Sequence, residues 1–169
     1  KCNPFDTIAY QKLESEIAAV FSPNDIYKPS DFKSGYASIS ERVENMGWPF
    51  LSECRGKVVF ILEGNNQHIY RSFKQPLMFY YGEPNDVNTA FLLRNHSMGI
   101  ESSISEQSAK YVIRTRSDAG TIQSRDHDFS MWNSALKSNA QIISTDYYKA
   151  DERWSGYKVG FPGVFNIRY

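Results

Sequence analysis

The sequence predicts an α/β fold of about four β/α units, half the number that closes an eight-stranded barrel. Three observations lead there. First, Tyr111 to Tyr148 reads as strand, helix and strand, and the runs Tyr111-Val112-Ile113 and Gln141-Ile142-Ile143 start 30 residues apart, the length of one βαβ unit. Second, both runs turn polar abruptly, at Arg114 to Asp118 and at Ser144-Thr145-Asp146. Strands that are apolar in the middle and charged at their C-terminal tips suit a parallel sheet with a site at that end. Third, 169 residues suffice for one domain with a real core but fall short of the roughly 250 of a full barrel.

The elements follow in order. A first helix is expected over Asp6 to Phe21, with Asp6 or Thr7 as its cap and Ile8, Leu13, Ile17 and Val20 near one face. Ser22-Pro23-Asn24-Asp25 stops it, and Ile26 to Ser34, with Pro29 inside, reads as loop. Ser38 to Met46 is a second helix: Ser38-Ile39-Ser40-Glu41 has the form of a capping box, and Gly47 ends it. Trp48-Pro49-Phe50-Leu51 is expected to pack below the sheet, and Arg55-Gly56-Lys57 to turn into the next strand. Val58 to Leu62, apolar at every position and closed by Glu63-Gly64, reads as a buried strand. Asn65 to Lys74 is a polar excursion, Leu77 to Tyr81 another strand, and Ala90 to Leu93 a short apolar stretch. Ile104 to Lys110 and Ile122 to Asn139 are helical, the latter with Phe129, Trp132 and Leu136 as apolar positions. Residues 141–145 form the last strand, and Trp154 to Tyr169 is loop. Four parallel strands of this length can build half of a barrel or a complete small open sheet, and the pattern allows both.

Composition narrows the function. Lysine and arginine total 19, as do aspartate and glutamate, so no bulk charge grips nucleic acid or an anionic membrane; local basic clusters remain open. No apolar run approaches the ~20 residues of a membrane span. Lys1 to Pro4 is not followed by the apolar core of a signal peptide, and an opening on Lys rather than Met is expected to reflect cleavage or trimming. Cys2 and Cys54 fit one disulfide or two buried thiols. No two histidines stand at i, i+4, and no CxxC, glycine-rich phosphate loop or GxSxG elbow occurs, so a zinc site, a nucleotide site and a serine hydrolase are not expected.

Val112 to Thr121, followed by Ala140-Gln141-Ile142-Ile143-Ser144-Thr145-Asp146-Tyr147-Tyr148, resembles the last two strands of the calcium-dependent phosphatidylinositol-specific phospholipase C family, whose pattern runs roughly VRTRADADT and then STDYP. Upstream, Trp48-Pro49 and Arg55-Gly56-Lys57-Val58-Val59-Phe60 are similar to the family's GWP and ARGKV stretches, so the likeness runs from about Phe5 to Arg168. It implies a single domain over residues 1–169: the C-terminal half, about strands five to eight, of a TIM-type barrel. It further implies a phosphoric diester hydrolase that cleaves an inositol phospholipid to diacylglycerol and inositol phosphate. In the family, the histidine pair and the calcium ligands come from the first four strands, so no catalytic residue and no metal ligand is expected in this chain. The expected partners are the N-terminal half, cleaved or as a separate chain, and phospholipid at a membrane surface. Family analogy implies an exported protein. A glycerophosphodiesterase-like barrel and a non-catalytic inositol-lipid or protein binder are the competing readings.

The resemblance leaves this half the substrate-binding wall. Glu63, at a strand tip, is expected to accept hydrogen bonds from inositol hydroxyls or to be an ordinary turn residue. Arg114, Arg116 and Asp118 share one face by alternation. Arg116 then meets phosphate and Asp118 a ring hydroxyl, unless the two form a structural ion pair. Asp146 is expected at the tip of the last strand, on substrate or capping the next loop. Gly120 stands where family members often carry a second aspartate, which puts that carboxylate's role in doubt. His68 and His96 both follow apolar segments, but nothing in their spacing makes them a catalytic pair, and His127 reads as a surface residue. Phe79-Tyr80-Tyr81, Tyr147-Tyr148 and Trp154 are expected either as packing over the barrel mouth or as a rim that meets lipid.

Overall fold

The computed structural model describes residues 5–64 and 66–160. The architecture is mixed α/β, a five-stranded half-barrel consistent with half of a TIM barrel. Its elements in chain order are α1 (Thr7–Val20), α2 (Pro29–Lys33), α3 (Ile39–Met46), α4 (Leu51–Cys54), β1 (Ile61–Leu62), α5 (Gln67–Tyr70), β2 (Phe79–Gly82), β3 (Phe91–Arg94), α6 (Glu101–Gln107), β4 (Val112–Arg116), α7 (Ile122–Asp126), α8 (Ser130–Lys137) and β5 (Ile142–Ser144). The sheet order is β1-β2-β3-β4-β5, and the β1–β2 and β4–β5 pairs are parallel. Neighbours that are also consecutive in the chain wind in one direction. An open doubly wound sheet instead reverses its strand order at a switch point, so this is barrel winding. Where four strands were expected there are five: the apolar stretch at Ala90 is β3, a run of four residues too short to declare its type by periodicity. The chain divides into two compact units, one ending at Phe91 and one starting at Leu92.

In the first unit, Asp6 caps α1 by accepting the Ala9 N–H at 2.8 Å. The buried face of α1 carries Tyr10 and Ile17, with Leu13 half-buried. Ile8 and Val20, expected on that face, are 73% and 76% exposed, because the seven-residue step from Tyr10 to Ile17 sets the stripe. The stretch expected to be loop after Asp25 holds a parallel rung between Ile26 and Val58 and then α2, whose first residue is Pro29. Helix α3 forms as expected: Ser38 Oγ accepts the Glu41 N–H at 3.1 Å, Glu41 returns a bond to the Ala37 N–H at 2.9 Å, and Gly47 ends the helix at φ +71°. Trp48 sits edge-on to Phe32 and Phe91, at 4.9 and 6.1 Å between ring centres, and Phe79 joins the cluster against Phe32 and Phe91. The predicted buried strand 58–62 is shorter and wetter than expected. Only Ile61 and Leu62 are strand, and none of the five residues is fully buried, because β1 is an edge strand flanked on its outer side by the single Ile26 rung.

Tyr70, read as part of a polar excursion, is the most buried side chain of this unit. Its hydroxyl donates to Glu14 Oε1 and accepts the Met78 N–H at 2.9 Å, while Glu14 Oε1 also accepts the Leu77 N–H at 2.8 Å. This pins α1 to the start of β2. Burial first, and then the Glu14 carboxylate, push the phenol well above its usual range. Tyr70→Phe leaves a buried N–H and a half-buried carboxylate short of a partner. The expected loss is about 2 kcal/mol, read as a lower urea midpoint at unchanged slope.

In the second unit, Leu92, Ile104 and Ile113 form a core with Tyr111 and Ala140 packed on it. Along β4 burial alternates: Ile113 and Thr115 are buried, while Val112, Arg114 and Arg116 are half-buried. Strand β5 pairs in register, Arg114 with Ile142 and Arg116 with Ser144. The Gln141 amide completes the ladder's start, accepting the Ile113 N–H at 2.9 Å and donating to the Ser108 and Tyr111 carbonyls. The helix expected over Ile122 to Asn139 is two helices. His127 adopts the left-handed conformation at φ 52°, and the Asp128 carboxylate accepts the Ser130 N–H and hydroxyl at 2.8 and 2.9 Å, which starts α8 afresh. Those bonds hold the Asp128 carboxyl below its usual range. Cys54 is a half-buried free thiol, whereas Cys2 and the predicted loop beyond Gly160 lie outside the described residues. Among the described residues no helix is long and apolar enough to cross a membrane.

Candidate functional site

At the C-terminal end of β4 the alternation stops with Arg116. Asp118, expected to continue that face, is beyond the strand and 2% exposed. Its carboxylate is a hub. Oδ2 accepts the Ser117 hydroxyl at 2.7 Å and the Thr145 hydroxyl at 2.6 Å, and Oδ1 accepts the Asp146 N–H at 2.9 Å. Ser117 also donates its N–H to the Ser144 carbonyl at 3.0 Å, so two consecutive residues after β4 clasp the end of β5. Thr145 Oγ1 accepts the Tyr147 N–H at 2.9 Å, and the Tyr147 hydroxyl donates to the Gly120 carbonyl at 3.0 Å. Gly120 sits at φ +65°, the left-handed region. Behind the clasp, buried Tyr157 donates to the Ser117 carbonyl at 3.3 Å, and its phenol is pushed up by burial and then by the negative charge of Asp118.

What this clasp presents is a cation and an anion. Arg116 is half-buried, Asp146 is exposed, and neither side chain makes a hydrogen bond or ion pair among the described residues. Arg116 pairs through its backbone with Ser144, two residues before Asp146, so the two stand at the tips of adjacent parallel strands. Arg114 lies two residues earlier on the same face of β4, level with Ile142. Glu63 occupies the expected tip after β1 and is exposed, in the first unit.

The other flagged groups scatter. His68 lies on α5 and His96 in the loop after β3, both exposed and in different units. His127 is exposed, as expected, with Nδ1 3.0 Å from Ser155 Oγ and its ring edge-on to Phe129. Phe79, Tyr80 and Tyr147 are buried packing groups, while Tyr148 is 79% exposed. Trp154 carries a cation stack that spacing gave no sign of. The Arg125 guanidinium lies 4.4 Å from its ring centre and Arg153 5.9 Å. Arg153 in turn grips the Asp151 carboxylate through Nε and a terminal nitrogen, which holds that carboxyl down to about 2.

A family model described as phosphoinositide phospholipase C, Ca2+-dependent, matches residues 1–169. The chain belongs to this family. No curated protein and no solved structure matches it. The family's description names calcium, which takes six to eight oxygen ligands. Among the described residues of this chain, no three His, Cys, Asp or Glu side chains form a group able to hold a metal. Asp118, the one buried carboxylate of the tips, is engaged by three donors from the protein itself. The residues described here therefore do not make a calcium cage.

Proposed function

We propose that this chain is the substrate-binding half of a phosphatidylinositol-cleaving phospholipase C. The observation that carries the reading is the Arg116–Asp146 pair of unengaged charges at adjacent strand tips in a chain of this family. In the reaction, the inositol 2-hydroxyl oxygen bonds to phosphorus while the bond to the glycerol oxygen breaks. One histidine takes the hydroxyl proton and another protonates the leaving alkoxide. Those histidines, and the oxygens that would hold calcium, belong to an N-terminal half in this proposal. This chain contributes recognition. The Arg116 guanidinium takes phosphate oxygens in a charge-assisted fork, with Arg114 behind it. Asp146 accepts from a ring hydroxyl. Asp118 touches no substrate and positions Asp146 through its backbone N–H.

Two features support the N-terminal partner. The sheet has parallel edges at β1 and β5, which a closed barrel would not leave open. Ile142 of β5 is 40% exposed, and Val59, two residues before β1, is 38% exposed. The substrate is inositol phospholipid at a membrane surface, and export follows from family analogy. With net charge zero, nucleic acid is not a partner in this reading.

Arg116→Ala tests it. In the assembled enzyme, kcat/KM on phosphatidylinositol vesicles is expected to fall about 100-fold, roughly 3 kcal/mol of lost charge-assisted contact, at unchanged melting temperature. Wild-type kcat/KM in the variant would remove the reading.

A further inference from the structure

The first unit contains a cavity of about 130 Å³ that the proposed function leaves unused. Lys33 of α2 and Arg71 and Lys74 after α5 line it, together with the polar groups of Ser30, Gln75 and Asn88, and no carboxylate does. Lys74 and Gln75 precede β2, whereas Glu63 follows β1, which runs parallel to β2. Glu63 does not line the cavity, and Arg114, Arg116, Asp118 and Asp146 belong to the second unit, so the cavity is distinct from the strand-tip residues.

We propose that this cavity binds a phosphate-sized oxyanion, free or as a monoester. Arg71 is held ready for it: its guanidinium lies 4.8 Å from the Tyr80 ring centre, donates to the Tyr81 carbonyl at 3.4 Å, and stands 3.6 Å from Asp86 Oδ2. The same Asp86 oxygen accepts the Tyr80 hydroxyl at 2.9 Å; its charge offsets that of Arg71, and Lys33 and Lys74 give the lining its net positive charge. Lys33 is half-buried and Lys74 exposed, and neither has an ion-pair partner among the described residues. An anion in the cavity meets three cationic side chains and no carboxylate in the lining. The hydroxyl of Ser30 and the amides of Gln75 and Asn88 supply neutral donors. Phe79, Tyr80 and Pro76 give an apolar wall on which the organic part of a small monoester can rest.

The test is calorimetric titration of the full chain with inorganic phosphate and, separately, with glycerol 1-phosphate, using glycerol as the uncharged control. Saturable one-to-one binding of either anion is expected, tighter for the phosphate source the site is built for, and at least tenfold weaker in Lys33→Gln/Lys74→Gln. Arg116→Ala should bind as wild type does, which keeps this site separate from the strand tips. Absence of saturable binding, equal binding by the double variant, or loss of binding in Arg116→Ala would overturn the proposal.

Discussion

Asp118→Ala is expected to lower stability by about 3 kcal/mol and to remove activity from the assembled enzyme. The substitution deletes the acceptor of three donors at once: the hydroxyls of Ser117 and Thr145 and the Asp146 N–H. Asp118 is 2% exposed, so water does not replace it without reopening the clasp. The local signature is sharper than the global one. The Asp146 amide should exchange with solvent far faster in the variant, while the Ile104 amide in the neighbouring core keeps its protection. Asp118→Asn preserves shape but turns one acceptor into a donor, and should fall between the two. An alanine variant with wild-type stability and an unchanged Asp146 exchange rate would show that the carboxylate organises nothing.

Gly82→Ala comes second in size. Gly82 ends β2 with buried Thr89 packed directly on its α-carbon. A β-carbon there would lie 1.9 Å from Thr89 Oγ1 and 3.0 Å from Thr89 Cβ. Thr89 is 2% exposed, and its Cβ as well as its Oγ1 crowds the added carbon, so rotating the side chain alone does not clear the contact. The expected loss is about 2–3 kcal/mol in chemical denaturation. Thr89→Ala removes the closest atom and should return most of it, so the double variant is less destabilised than the sum of the singles. Simple additivity of the two would contradict this packing.

The parts of the fold that follow from period and punctuation were legible in the sequence. The βαβ unit at Tyr111, the capped helix ended by Gly47 and the cap at Asp6 each rest on local chemistry that tertiary contacts do not override. Burial was harder to read. Ile8 and Val20 are apolar yet face outward, because the α1 stripe is set by Tyr10 and Ile17. Val58 to Leu62 looks like a fully covered strand but borders the sheet's edge. Helix α2 was hidden because Pro29 reads as a breaker, although proline at a helix's first position only removes an N–H that has no partner there.

Of the site, Arg116 and Asp146 were legible as polar residues at strand tips. Asp118 was misplaced for a physical reason. Alternation assigns faces only while the chain remains a strand, and β4 ends at Arg116. Beyond it, the nearest unmet donors decide where a carboxylate points, and they come from 27 and 28 residues later. The Tyr70–Glu14 bond spans 56 residues and the cation stack on Trp154 joins α7 to a later loop, pairings that no local window contains.

In the proposed function this chain works as one half of a barrel. The most direct measurement is the native mass of the protein isolated from its source, followed by the mass of each component after denaturation. A particle containing a second polypeptide segment of similar size is expected, with phosphatidylinositol cleavage by that particle but not by the separated 169-residue chain. A folded, monomeric 169-residue chain that occurs alone, or one that cleaves the lipid by itself, would contradict it.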